Sequence, residues 1–586
     1  MNRNEINYDK LDPSLSIAYD EYYENGREGL YGHLLNNGEA DSDAYVTVEE
    51  GAEESAKLAR VVVFFKCASD ANFDDLQDTG IEINAGGHEI RTAIVPLDDL
   101  PRLTDHPQVE YVTAAEKLHL LMDAASKKVH LPEFRVRDGK NLTGKGVIIG
   151  IIDTGIDANH PAFKGRILRI WDQTIKNGKG VPEGNFGVEY SGNDLVKSKD
   201  ENGHGTHVAG IAASAGKKYG GIAPEASLVV VKTTQLDAHI DAAIKYIARI
   251  AKDAPAVVNI SLGKHTDAHD GTDFLSQAID KCVRKGFIIC CAAGNEAQED
   301  IHAQAEVIQG KTTKITCAHL YNKNGSYARL TFNGWYSHAD EIEVAVQTEN
   351  GETTGYQSVI SGGKHNKKYV LKDESVAYIS TPAPRLNGDH NFRVYLTPPQ
   401  DADEPFTWTL MLRGRKVAGK GARVDVWCYQ DGSFTSHASP SITIGSPGCA
   451  TSAITVAAYT TKTEWKDASG QSRSIKDLKL DTLAPFSSRG PRRDGKPKPD
   501  LTAPGAVIVS CCSQDSRPPR DKVIDSNYVV RGGTSMAAPF AAGVIALLLS
   551  EDPQLDPAGV LAKLNYDTAE HDANAWGRGL ITFPAK

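Results

Sequence analysis

The sequence predicts a doubly wound parallel α/β domain, preceded by a small α+β unit and interrupted by an all-β insertion. Three observations carry this expectation. Continuous apolar runs of strand length recur at 147–152, 228–231, 257–262 and 287–293, the composition of strands buried on both faces. Helical periodicity lies between them: Ile240, Ile244, Ile247 and Ala251 form one stripe over 237–252, and a second helix over 273–285 is stopped by Gly286. Such alternation is the signature of a parallel sheet with crossover helices. It breaks near residue 300 and resumes near residue 441.

The elements follow in order. Residues 1–57 are polar and acidic, with loop signals at Asn36-Asn37-Gly38 and Asp41-Ser42-Asp43, and read as a lead-in segment. Residues 58–116 carry strands at 58–65, 81–84, 88–95 and 109–112. Helices at 73–79, closed by Gly80, and at 97–104 separate them, and Ala85-Gly86-Gly87 marks a hairpin. That order is the split βαβ, or ferredoxin-like, unit. Residues 117–144 read as a linker. The α/β domain occupies 145–300 and resumes over 441–586, with strands at 453–458 and 507–511 and a closing helix at 534–550. Between the halves, 301–440 holds short strands, clearest at 328–332, 341–347, 392–396, 407–412 and 423–429, and reads as an inserted β-sandwich.

Composition narrows the function classes. The net charge of -12 over 586 residues argues against nucleic acid, whose phosphates require basic patches. The longest nearly apolar stretch, 536–549, is interrupted by Pro539 and is shorter than the roughly 18 residues of a membrane span, so no membrane partner is expected. No apolar run follows Met1, and nine scattered cysteines show no spaced framework, which together suggest a cytoplasmic protein. Secretion remains the alternative if a leader once preceded the sequence.

Four segments carry chemistry. Ile151-Ile152-Asp153-Thr154-Gly155 ends an apolar strand, where open α/β sheets build their sites. Asn202-Gly203-His204-Gly205-Thr206-His207 opens a helix, and Gly533-Thr534-Ser535-Met536-Ala537 opens another. A serine hydroxyl needs a base to remove its proton as it attacks, a histidine can do so near neutral pH, and a carboxylate fixes the histidine tautomer. The fourth segment, Ala292-Ala293-Gly294-Asn295-Glu296, follows a buried strand. The Asn295 side-chain amide and the Ser535 backbone N–H would supply donors to a developing oxyanion. His204 and His207 lie three apart without a ligand glutamate, weak evidence for metal, and His207 reads as a structural helix residue. No metal and no cofactor is expected.

Together with Phe486-Ser487-Ser488-Arg489-Gly490-Pro491 and Asp500-Leu501-Thr502-Ala503-Pro504-Gly505, these segments resemble those of the subtilase family over 145–300 and 445–565. The resemblance implies a subtilisin-like, seven-stranded parallel α/β domain hydrolysing peptide bonds in protein or peptide substrates. Asp153, His204 and Ser535 would be its catalytic triad, in the chain order of that family. Ser261, Leu262 and Gly263 would form the substrate-binding strand, with Ala293 and Gly294 beside it. Lys264, next in the chain, reads as a solvated surface lysine. The helix after His204 is followed over 213–226 by no run of oxygen ligands for calcium.

The resemblance further implies that 58–116 is an inhibitory propeptide, the chain's own partner, released by self-processing between about 118 and 131, where Leu120-Leu121-Met122 offers apolar side chains. The domain layout, and 163–174 with Ile170-Trp171-Asp172-Gln173-Thr174, are similar to the Csp germination proteases of spore formers. The expected activity is that of a serine endopeptidase acting in protein maturation or degradation. A transpeptidase or macrocyclase, in which an amine replaces water, and a catalytically silent pseudoprotease scaffold are the alternatives.

Overall fold

The computed structural model describes residues 6–33, 46–48, 59–84, 89–115, 119–120, 136–137 and 140–582, apart from 322–326, 360–364, 383–385, 400, 401, 403, 430 and 568. The chain forms two compact units, one from Met1–Lys117 and Glu299–Pro440, the other from Leu118–Gln298 and Ser441–Lys586.

The second unit is built on an eight-stranded sheet. Its strands are β1 (Ile148–Asp153), β2 (Ile167–Asp172), β3 (Val188–Tyr190), β4 (Ser227–Lys232), β5 (Ala256–Ile260), β6 (Phe287–Ala292), β7 (Ile454–Thr460) and β8 (Leu501–Ala506). They lie in the order β3-β2-β4-β1-β5-β6-β7-β8. Seven are parallel, and only the edge strand β3 runs antiparallel, on β2. β1 is central and buried at all six positions, which its Ile-Ile-Gly-Ile-Ile sequence permits. Four of its helices are α1 (His204–Ala213), α2 (Asp237–Ala251), α3 (Phe274–Cys282) and α4 (Thr534–Glu551). The α2 stripe of Ile240, Ile244, Ile247 and Ala251 is buried. A Cβ on Gly150 of β1 would lie 2.8 Å from the Ile247 side chain, so this glycine sets how closely α2 docks. α4 is apolar all round and long enough to cross a membrane by length and composition, but 89% of it is buried inside the protein, as a core helix requires.

Two expectations for this unit are corrected. The segment at 507–511 is not a strand of the parallel sheet: Ile508–Cys511 pairs antiparallel with Tyr528–Arg531 in a separate three-stranded sheet. The outermost parallel strand is β8, whose Pro504 and Gly505 disguised it; at a sheet edge the missing proline N–H costs no ladder bond. α3 begins as expected, with the Asp273 carboxylate accepting from Ser276 N, but ends at Cys282 because Arg284 and Phe287 close a tight turn.

In the first unit, Ala59–Cys67 pairs antiparallel with Ile90–Pro96 on one side and Val109–Ala114 on the other, and Glu82–Ile83 adds to Ile90–Pro96. The first connecting helix is a 3-10 helix, Asp74–Thr79, ended by Gly80 at φ 78°. The second is Leu100–Asp105, entered through a 3-10 turn. The hairpin signal at 85–87 lies outside the described residues. The lead-in reading of 1–57 is overturned over Pro13–His33, which is an α-helix. Leu11, Leu15, Ala18 and Tyr22 recur at helical spacing and join the core of the neighbouring sheet, and Asp12 caps the helix by accepting from Ser14 N and Leu15 N. Residues 302–434 contribute two antiparallel sheets, of six and four strands, that contain all five strands expected of the insertion.

Candidate functional site

Asp153 closes β1 and His204 opens α1. The His204 Nδ1 to Asp153 Oδ1 distance is 2.7 Å, with both side chains fully buried. Asp153 Oδ1 also accepts from Thr154 N at 2.8 Å, so the carboxylate is fixed by its own turn. Gly203 makes that approach possible: it sits at φ 79° before α1, where a Cβ would fall 2.7 Å from Ser516 Oγ. Asp200 was not singled out in the sequence, yet it builds the turn. Its fully buried carboxylate accepts from Gly203 N, Thr206 N, Thr206 Oγ1 and Thr154 Oγ1, tying the His204 segment to the Asp153 segment. The only sequence signal was an aspartate four residues before a helix-opening histidine.

Ser535 begins α4 and is fully buried. Its Oγ donates to Ser261 O at 3.0 Å, while Ser261 Oγ donates to Ser535 O at 2.9 Å. This reciprocal pair places the serine at the start of the Ser261-Leu262-Gly263 segment. Asn295 reaches the same helix start: its Oδ1 accepts from Thr534 N at 2.9 Å and from Thr534 Oγ1 at 3.2 Å. With the carbonyl end engaged, the Asn295 Nδ2 group keeps its donors for another acceptor.

Gly263, Ala293 and Gly294 line a cavity of about 40 Å3 together with Lys264, His265 and Glu296. Glu296 Oε2 accepts from Asn295 N and Ser488 Oγ and lies 3.5 Å from His265 Nε2. Burial alone would raise its carboxyl, but these donors hold it below the usual carboxylate range, so the cavity lining carries an anion. Along the open edge of the segment, His119–Leu120 pairs antiparallel with Leu262–Gly263, Leu120 opposite Leu262 and His119 opposite Gly263.

Lys264 is corrected: it is only 7% exposed, and its Nζ lies 2.6 Å from Asp237 Oδ2 at the start of α2. The pairing removes it from solvent and locks the end of the Ser261–Gly263 segment to α2. His207 is fully buried, with Nε2 3.2 Å from Val529 O. Burial first, then the nearby positive charge of Arg531, pushes it well below the usual histidine range, so it stays neutral. Among the described residues, no group of three or more His, Cys, Asp or Glu side chains could hold a metal ion.

The model of the subtilase family matches the chain over residues 144–443 and 426–579. The serine protease AprX of Bacillus subtilis is 24% identical over 502 residues, covering 82% of this chain and 74% of that protein. An intracellular serine protease of Paenibacillus polymyxa is 30% identical over 228 residues, 38% of this chain and 61% of its own. The solved structure of the Clostridium perfringens CspB protease superposes with a TM-score of 0.62 at 24% identity, over 77% of this chain and 96% of its own, which extends the likeness in fold to the Csp proteins. With the family model matching well over half of its length, the chain belongs to the subtilase family of serine proteases.

Proposed function

We propose that this protein is a self-processing serine endopeptidase, with Ser535 as nucleophile, His204 as general base and Asp153 as the group that orients it. His204 takes the Ser535 proton as Oγ attacks the substrate carbonyl, and Asp153 stabilises the imidazolium. Asn295 Nδ2 and the Ser535 N–H receive the oxyanion. His204 then protonates the departing amine, and water enters to release the acyl group from Ser535.

One observation carries this reading beyond family membership. The chain's own His119–Leu120 lies as an added antiparallel strand on Leu262–Gly263, the mode in which an extended peptide is held by main-chain hydrogen bonds. Continued by one residue, that register would set position 121 opposite Ser261, whose carbonyl oxygen accepts from Ser535 Oγ. The proposed cut is therefore Leu121–Met122. Residues 121–135 lie outside the described residues. In this reading 58–116 is a ferredoxin-like propeptide and the two-sheet insertion is a β-sandwich.

Expression of wild type beside Ser535→Ala, with intact-mass and N-terminal analysis, tests it. Wild type should yield a new terminus at or next to Met122, and the variant should stay whole. Whole wild-type chains that hydrolyse peptides would remove the self-processing step and leave the endopeptidase. Whole wild-type chains without hydrolysis would remove both.

A further inference from the structure

A second cavity, of about 640 Å3, is lined in part by Glu201 and Asn202, just before His204 in the chain. It is within the usual size of ligand sites, roughly 300–1,000 Å3. Asn202 and Arg531 line it, and these two residues connect it to the catalytic pair. Arg531 Nη2 donates to Asn202 O at 2.8 Å and lies 3.0 Å from where a Cβ on Gly203 would stand. Asn202 is two residues before His204, and Arg531 four before Ser535. The cavity shares no lining residue with the pocket beside Gly263.

Its place relative to the cleaved bond follows from the chemistry. The acyl half of a substrate runs along Ser261–Gly263. The amine half takes its proton from His204, so it leaves on the His204 side. Asn202, Gly203 and Arg531 border that exit.

The charge of the cavity follows from its ion pairs. Both lining carboxylates are paired with lysines outside the cavity lining: Glu201 Oε2 accepts from Lys232 Nζ at 2.7 Å, and Asp515 lies 3.4 Å from Lys199 Nζ. Two of the lining cations, Arg517 and Lys522, are not paired in this way. Arg517 is exposed and Lys522 half-buried, and neither has a carboxylate partner among the described residues; Lys522 instead sits 4.6 Å from the Trp465 ring centroid. Pro518 and Pro519 stiffen the loop between them.

We propose that this cavity is the subsite for the amine half of the substrate, and that Arg517 and Lys522 select an acidic side chain within the first three residues after the cleaved bond. The inference rests on the endopeptidase reading.

The test uses internally quenched peptides of one sequence carrying Glu, Gln or Lys at each of those three positions. At low ionic strength kcat/KM should favour Glu over Lys by about fivefold or more at one position at least, and salt should shrink the ratio. The variant R517Q/K522Q should bring the ratio to about one, and R517E/K522E should invert it. A ratio at or below one at all three positions, or one that R517E/K522E leaves unchanged, overturns the proposal. Binding of fluorescent peptides representing the amine half to Ser535→Ala reads the same preference without turnover. Turnover without charge preference sinks the subsite alone. Charge-selective binding without turnover sinks the endopeptidase reading and leaves the cavity a site for acidic peptides.

Discussion

Asn295 shows how one side chain can be committed at one end and available at the other. Its Oδ1 is held by Thr534 N and Oγ1, which aims the amide group from the same helix start that carries Ser535. Asn295→Leu removes the donor while keeping the volume, so turnover should fall by roughly 10²–10³ with little change in KM, because the bond matters mainly in the transition state. A rise in KM at unchanged kcat would count against that role. Residues of this kind were legible in the sequence because each sits in a short local motif with its own chemical logic. Asp200 and Lys264 were not. Asp200 acts through four donors on two segments, and Lys264 through Asp237, 27 residues away, and no local pattern announces either pairing.

Helix α2 ties the element scale to stability. His239 lies in its first turn, stacked on Phe186 at 4.1 Å, with Nδ1 2.6 Å from Thr234 Oγ1 and Nε2 buried without a hydrogen-bond partner among the described residues. Burial pushes its pKa from 6.5 down to about 3. The unfolded chain therefore takes up this proton before the folded one, so the group's contribution is complete above about pH 6.5 and is lost as pH falls toward 3. Between pH 7 and 4 the urea midpoint of wild type should drop more steeply than that of His239→Gln. Parallel pH profiles would contradict the assignment. Strands and helices with pure periodicity were legible, α2 to within one residue and the insertion strands to within four at either end. β8 was hidden because its edge position tolerates Pro504, and the helix Pro13–His33 because acidic residues mask its stripe of Leu15, Ala18 and Tyr22.

At the scale of the molecule, the sequence suggested a propeptide and an insertion as separate domains, whereas 1–117 and 299–440 form one compact unit. The contacts that join them are long-range: Ser14 Oγ is 2.9 Å from Tyr395 Oη, Asn366 Nδ2 donates to Asp20 Oδ2, and Ile17 packs with Tyr378 and Tyr395. Pairs separated by more than 340 positions leave no trace in a single sequence. A chain cut at 121–122 should therefore keep its N-terminal fragment through size-exclusion chromatography and release it only in denaturant; a fragment lost in native buffer would contradict this packing. The account as a whole stands on Ser535 as nucleophile, and a fluorophosphonate probe followed by peptide mapping of the full chain tests that most directly. Wild type should carry the label on Ser535 and nowhere else, and Ser535→Ala should stay unlabelled. A label on another serine, or wild-type protein that takes none, would contradict it.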